Sequence, residues 1–149
     1  MKKAVFIILL LAEFTLPAGV MAESADGRLS GLWHEVDAAF DAGEYKQVLS
    51  LLGEIRAIIP DSRDAAEDSG FALWSLSDGN DFDDAMRFLL EAERADSVNS
   101  DVYYVLADMF SLRGDYLRAQ LEFGKALYFG FRDFDRFADD PDLEGLRSS

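Results

Sequence analysis

The residues best suited to metal binding or nucleophilic catalysis are scarce in this 149-residue chain. His34 is its only histidine, and there is no cysteine, so thiolate sites are impossible and zinc has at most one imidazole ligand. No serine stands in a G-x-S-x-G turn, the signature of one hydrolase nucleophile. We interpret His34 as a helix-surface residue and expect no catalytic residue, no cofactor, no metal centre and no enzyme activity.

Two clusters of carboxylates resemble calcium loops in part. Residues 78–84 read DGNDFDD and residues 140–145 read DPDLEG. In the first, the order of the oxygen ligands and the position of the glycine differ from those of the EF-hand loop, and the second resembles only the beginning of such a loop. Weak calcium binding at residues 78–84 stays an alternative to a solvated turn.

The overall charge is strongly acidic, with 29 Asp and Glu residues against 14 Lys and Arg and a net charge of −15. Nucleic acid is excluded as an expected partner, because phosphate binding requires a basic face. Such a charge attracts basic partners over distances of about 10 Å. The alternative interpretation is that the carboxylates only keep the protein soluble and monomeric.

The N-terminal segment has the pattern of a secretory signal peptide. Lys2 and Lys3 precede the apolar residues 4–12, and Pro17 and a small-residue stretch ending at Ala22 follow. The apolar run is shorter than the ~20 residues of a transmembrane helix. We therefore predict cleavage after Ala22, a periplasmic or secreted protein without a lipid-anchor cysteine, and no stable membrane anchor after cleavage.

The rest of the chain repeats one helical pattern. Tyr45, Phe82 and Tyr116 each follow a glycine closely and lie 37 and then 34 residues apart. Small and large apolar residues follow each aromatic at the spacing of one buried helix face. A fixed period of this length, with helical spacing inside each unit, indicates stacked helical hairpins.

The third unit carries a more specific pattern of small and large residues. It resembles the tetratricopeptide repeat (TPR) family, in particular the secreted or periplasmic bacterial members. The first unit keeps the closing proline of the family as Pro60, whereas Phe131 replaces it in the third unit. The matching positions of the third unit are Tyr103, Leu106, Ala107, Phe110, Gly114, Tyr116, Ala119, Phe123 and Ala126.

The resemblance implies an all-α, right-handed solenoid of about three antiparallel hairpins with a C-terminal capping segment. Gly114 is expected to end the first helix of the third unit with positive φ, and Asn99 or Ser100 to cap the start of that same helix. Phe131, Phe134 and Phe137, then Leu143 and Leu146, would form the apolar face of the cap. The predicted segments are a signal peptide (1–22), a short linker (23–28), three repeats (29–62, 63–99 and 100–130) and the cap (131–149).

The resemblance also places a concave groove along the first helix of each repeat. The middle repeat can be aligned with the others in two registers. In one register Trp74, Glu67 and Asp78 face the groove. In the other, Leu73 and Leu76 face it. Trp33 and Trp74 could equally be core residues. The candidate partner-binding residues are Trp33, Asp37, Phe40, Asp41, Trp74, Asp101, Tyr104 and Asp108.

Aromatic rings interleaved with carboxylates suit a protein or peptide segment that carries Lys or Arg beside apolar anchors. The predicted function is therefore a non-catalytic interaction scaffold or adaptor in the cell envelope. The alternative is a structural protein whose repeats associate with a second copy or a neighbouring subunit, so a homo-oligomer is also allowed.

Overall fold

The computed structural model describes residues 18–76 and 81–148, except for the side chains of residues 18–25. Within these ranges the secondary structure is helical and includes no strand, which confirms the all-α prediction. The long helices are α1 (Ala18–Asp41), α2 (Tyr45–Ile58), α3 (Arg63–Leu76), α4 (Phe82–Arg94), α5 (Ser100–Leu112) and α6 (Tyr116–Tyr128). They are followed by α7 (Phe134–Asp139), a 3-10 turn (Pro141–Leu143) and α8 (Glu144–Arg147).

The long helices pack as adjacent pairs, α1 with α2, α3 with α4 and α5 with α6. Gly43 and Gly114 have φ values of 71° and 73° in two of the intervening turns, a backbone conformation that a side chain opposes. Asn99 accepts a hydrogen bond from the Asp101 backbone N–H, and Asp115 accepts one from that of Arg118. The turn and cap predicted for Gly114 and Asn99 are thus confirmed.

Two clusters of buried side chains hold these helices together. The first lies between α1, α2 and α3 and includes Val36, Leu52 and Ile55. The second lies mainly between α4, α5 and α6 and includes Leu89 and Leu106. Close helix packing within the pairs depends on small side chains such as Ala85, Ala107 and Ala119, which are fully buried.

Helix α1 begins earlier than the sequence pattern predicts. Residues 23–28, predicted as a linker, lie within it. Arg28 also pairs with Glu54 on α2 at 3.2 Å. Of the predicted signal peptide, residues 1–17 lie outside the described part of the chain. Among the described residues, no helix is long and apolar enough to cross a membrane.

Residues 131–148 form a C-terminal cap over α5 and α6. Phe131, Leu143 and Leu146 are buried there, and the Phe137 ring stacks on Phe123 with 4.2 Å between centroids. The prediction for Phe134 is wrong, since its side chain is 55% exposed. Helix α7 begins only at Phe134, so Phe131 and Phe134 do not share one helical face.

Candidate functional site

A cavity of about 630 Å³ opens where the ends of several helices meet. Helix α3 contributes its last turn, α2 and α4 contribute their first residues, α5 its last, and the cap one carboxylate. We call it the Trp74 cavity. Its lining residues are Tyr45, Leu73, Trp74, Ser75, Asp81, Phe82, Leu112 and Asp142.

Aromatic contacts fix the orientation of the rings around this cavity. Trp74 meets Phe82 edge to face, with 5.9 Å between centroids and 63° between ring planes. Tyr45 meets Phe40 in the same manner at 6.0 Å and 70°. Such edge-to-face pairs add stabilisation beyond the burial of apolar area. The cavity therefore presents rings whose positions are largely set before any ligand binds.

The charged groups that line the Trp74 cavity are carboxylates. Asp81 and Asp142 contribute them, and no Lys, Arg or His belongs to its described lining. Burial, followed by the charge of Asp140, raises the pKa of Asp142. The guanidinium of Arg113 pairs with Asp83 and lies above the ring of Phe82, so one basic side chain of the chain already faces an aromatic ring of this lining. A cationic group in the cavity would meet acidic side chains and aromatic faces, which attract cations.

A second cavity, of about 260 Å³, shares Trp74 and Ser75 with the first. Asp101 and Arg136 lie in its wall. Arg136 is 3.4 Å from the Asp101 carboxylate, and its guanidinium carbon lies 4.0 Å from the centre of the Tyr104 ring. The chain thus places one of its own basic side chains between a carboxylate and an aromatic ring beside the Trp74 cavity.

The prediction that Tyr104 and Asp108 line an open groove is wrong. Tyr104 is fully buried, its hydroxyl donates to Asp140 Oδ2 at 2.7 Å, and its ring stacks on Phe131 at 4.5 Å. Asp108 is 3% exposed. Both residues are covered because the cap folds back along α5 instead of leaving this face open.

Burial under the cap gives Asp108 an unusual environment. Its Oδ1 atom has no hydrogen-bond partner among the described residues. Burial, with the charge of Asp140 as the next cause, raises the pKa of Asp108 to about 8, although Arg136 opposes the change. A neutral carboxyl group therefore predominates at Asp108 in the folded protein at neutral pH.

No candidate on α1 belongs to the described lining of the Trp74 cavity, although Phe40 contacts its lining residue Tyr45. Trp33 and Phe40 are half-buried and pack against the first core cluster. For Trp33, this position agrees with the alternative interpretation that it is a core residue. Asp37 and Asp41 are exposed. Asp37 adds to the negative field at Asp68 on α3, whose pKa is raised to about 6 by burial first and then by neighbouring carboxylates. Helices α1 and α3 thus share an acidic surface.

The structure matches neither predicted register of the middle repeat in full. Trp74 and Leu73 line the same cavity, whereas Leu76 lies beside the turn that precedes α2. Glu67 is buried, where it accepts hydrogen bonds from the Ser97 hydroxyl at 2.6 Å and the Asn99 side-chain amide at 3.0 Å. Asp78, the remaining predicted member, lies outside the described residues.

Sequence reasoning missed several residues of the Trp74 cavity. Tyr45 and Phe82 stand out in the sequence as repeat aromatics, but the pattern assigns them to packing between helices. Nothing in the sequence marks Asp81 or Leu112 as a binding residue, because their positions at the start of α4 and the end of α5 explain them by themselves. Asp142 belongs to the DPDLEG segment, whose contact with the hairpins depends on how the cap folds back.

Within the described ranges, no group of three or more His, Asp or Glu side chains is arranged to hold a metal ion. The calcium alternative at residues 78–84 falls partly on residues 78–80, outside those ranges. Comparison of the chain with protein-family models and with curated proteins gave no match.

Proposed function

We propose that this protein is a non-catalytic interaction module that binds a protein or peptide segment carrying Lys or Arg beside apolar side chains. The observation that carries this proposal is the Trp74 cavity, in which aromatic rings and the carboxylates of Asp81 and Asp142 line one space, with no basic residue among its described lining residues. Cation–aromatic attraction and charge complementarity both favour a basic segment there.

The proposal includes a TPR-like solenoid as the scaffold of this site. Its support is the pairing of successive helices together with the aromatic and glycine pattern of the repeats. Ligand sites in such repeat arrays lie on the surfaces that stacked hairpins form together. We propose Trp74 and Asp81 as the centre of binding instead of Tyr104 and Asp108, because the cap covers the latter pair.

We also propose that the protein works in the cell envelope, as a periplasmic or secreted adaptor. The support is the charged, apolar and small-residue pattern of residues 1–22. A basic segment of an envelope or exported protein is the corresponding partner class.

A capture experiment tests the proposal. Purified protein is immobilised and incubated with envelope extract of its native cells, beside the variants Trp74→Ala and Asp81→Lys. We expect each variant to retain less than about one tenth of the captured partner, the loss of one binding hot spot. Raising the salt concentration should release the partner from the wild-type protein, because screening weakens the attraction between charges.

Matched controls separate the cavity from the general surface. Asp41→Lys makes the same charge change at an exposed residue of α1, and Tyr128→Ala removes an aromatic ring that is 82% exposed on α6. Both controls should capture normally. Capture that survives Trp74→Ala and Asp81→Lys, in variants with unchanged circular dichroism, or no capture by the wild-type protein, would contradict the proposal.

A further inference from the structure

The second cavity, beside the Trp74 cavity, is occupied in part by a side chain of the chain itself. Its lining residues are Phe71, Trp74, Ser75, Asp101, Val105 and Arg136. The guanidinium carbon of Arg136 lies 4.0 Å from the centre of the Tyr104 ring, and its Nη1 atom lies 3.4 Å from Oδ1 of Asp101. A cation between a carboxylate and an aromatic ring is the arrangement that the proposed function assigns to a basic side chain of the partner.

These contacts hold Arg136 only loosely. Its side chain is 43% exposed and that of Asp101 is 57% exposed. The 3.4 Å between the two charged groups exceeds the ~2.7–2.9 Å of a charge-assisted hydrogen bond. Water competes for both charges, so an exposed ion pair of this kind contributes little to stability. A guanidinium from another molecule can therefore compete with Arg136 for this position.

The cap does not depend on Arg136 to stay in place. Leu146 is buried where α8 packs on α5 and α6, and Arg147 donates hydrogen bonds of 2.7 Å to the backbone carbonyls of Phe137 and Asp140. Every residue of α7, by contrast, is at least partly exposed. The Arg136 side chain can thus turn into solvent while the rest of the cap keeps its contacts.

The two cavities adjoin each other, since Trp74 and Ser75 line both. Among the described lining residues of the two, Arg136 is the only basic one. An extended segment that crosses Trp74 can place one side chain in each cavity. A planar guanidinium stacks on an aromatic ring better than a compact ammonium group does, so arginine suits the position that Arg136 occupies.

We propose that Arg136 is an internal substitute for an arginine of the partner, which replaces it between Asp101 and Tyr104 when a neighbouring side chain of the partner enters the Trp74 cavity. This inference rests on the function proposed for that cavity and adds a second position to it. The contact of Arg136 is then autoinhibitory, because the site is open in only a fraction of the molecules. An exposed ion pair and an exposed cation–aromatic contact correspond together to a factor of about ten in apparent affinity.

A titration with methylguanidinium chloride tests the site without the partner. The amide NMR signals of residues 101–105 are followed in the ¹⁵N-labelled protein, with sodium chloride as the baseline. We expect Arg136→Ala to bind methylguanidinium about tenfold more tightly than the wild type, and methylammonium less well. Arg136→Gln, which removes the charge but keeps most of the side chain over the cap, should behave in the same way.

Two further variants show whether the Asp101 carboxylate is responsible. Adding Asp101→Asn to Arg136→Ala should abolish the tighter binding. Arg28→Ala frees a comparably exposed carboxylate, that of Glu54, and should bind methylguanidinium as the wild type does. Equal affinity in the wild type and both Arg136 variants, or no saturable change at residues 101–105 in either variant, would overturn the inference.

Capture from envelope extract separates failure of this inference from failure of the proposed function. At equal protein concentration, Arg136→Ala and Arg136→Gln should retain more partner than the wild type. Capture that both variants leave unchanged or lower would overturn the inference and leave the Trp74 cavity as the binding site. No capture by the wild type or by either variant would reject the proposed function and, with it, the replacement of Arg136 by a partner.

Discussion

Replacing Asp108 with asparagine is expected to make the folded protein more stable above neutral pH and to remove much of its pH dependence. Asp108 is buried beneath the cap, and its pKa is raised from 3.8 to about 8, by burial first and then by the charge of Asp140. Asparagine keeps nearly the same size and cannot ionise. The change should be visible in the free energy of unfolding measured by urea titration at several pH values.

The direction follows from proton binding. Because the pKa of Asp108 is higher in the folded state than in the unfolded state, the folded state binds more protons between pH 4 and 8 or thereabouts. The free energy of unfolding of the wild type therefore falls as pH rises through this window. At one pKa unit per 1.36 kcal/mol, and allowing for relaxation of the cap, we expect a fall of about 3 kcal/mol between pH 5 and 9 that Asp108→Asn lacks.

Asp41→Asn is the control, since it makes the same chemical change at an exposed residue of α1. Its stability should follow the wild-type curve at every pH. The pKa of Asp68 is raised to about 6. Asp68 therefore contributes a smaller decrease in the free energy of unfolding, at lower pH, in the wild type and in both asparagine variants. Parallel curves for the wild type and Asp108→Asn from pH 6 to 9 would show that Asp108 is not neutral beneath the cap.

Replacing Gly70 with leucine is expected to destabilise the α3–α4 pair by about 3 kcal/mol, which is large for overpacking of a core. A Cβ atom at Gly70 would lie 2.5 Å from Cγ of Leu89 and 3.3 Å from its backbone nitrogen. Leu89 is fully buried in the second core cluster, so its side chain cannot move into solvent. For a domain of this size, the midpoint of thermal unfolding should fall by about 10 °C.

Gly53→Leu is the matched control for this overpacking. Gly53 lies in α2 and is exposed, and an added Cβ would meet no atom within 4 Å apart from its chain neighbours and the nearby backbone of α2. Leucine there should leave stability unchanged or raise it by up to ~1 kcal/mol through its better helix propensity. Adding Leu89→Ala to Gly70→Leu should recover part of the loss, since neighbouring substitutions are not additive. Equal stability of the two leucine variants would mean that α3 and α4 do not cross at Gly70.

Local patterns in the sequence were sufficient to predict the helical hairpins. Gly114 predicted a left-handed turn because few other residues adopt positive φ without strain, and Asn99 predicted a cap because its side chain accepts a backbone N–H. Ala107 and Ala119, small residues at matching positions of the repeat pattern, are both fully buried. Each of these features depends on residues within one hairpin, which periodicity describes well.

The candidate site depended on contacts between distant parts of the chain, which periodicity does not describe. Tyr104 and Asp108 lie on the expected face of α5, but Asp140 and Phe131 of the cap cover them. The amphipathic pattern of the cap indicates that it packs onto the last hairpin without indicating which face of that hairpin it covers. Trp74 was identified as a candidate, whereas Tyr45 and Asp142, which line the same cavity, come from α2 and from the cap, far apart in the sequence.

Hydrogen–deuterium exchange of the protein, alone and saturated with the partner that it captures, tests the proposed binding site most directly. We predict slower exchange on binding in segments 45–48, 71–76 and 81–85, which bring Tyr45, Trp74 and Asp81 to the cavity. Exchange in the outer turns of α6 should change little at constant protein concentration. Slower exchange confined to α6, or spread over α1 without any change at residues 71–76, would contradict the account.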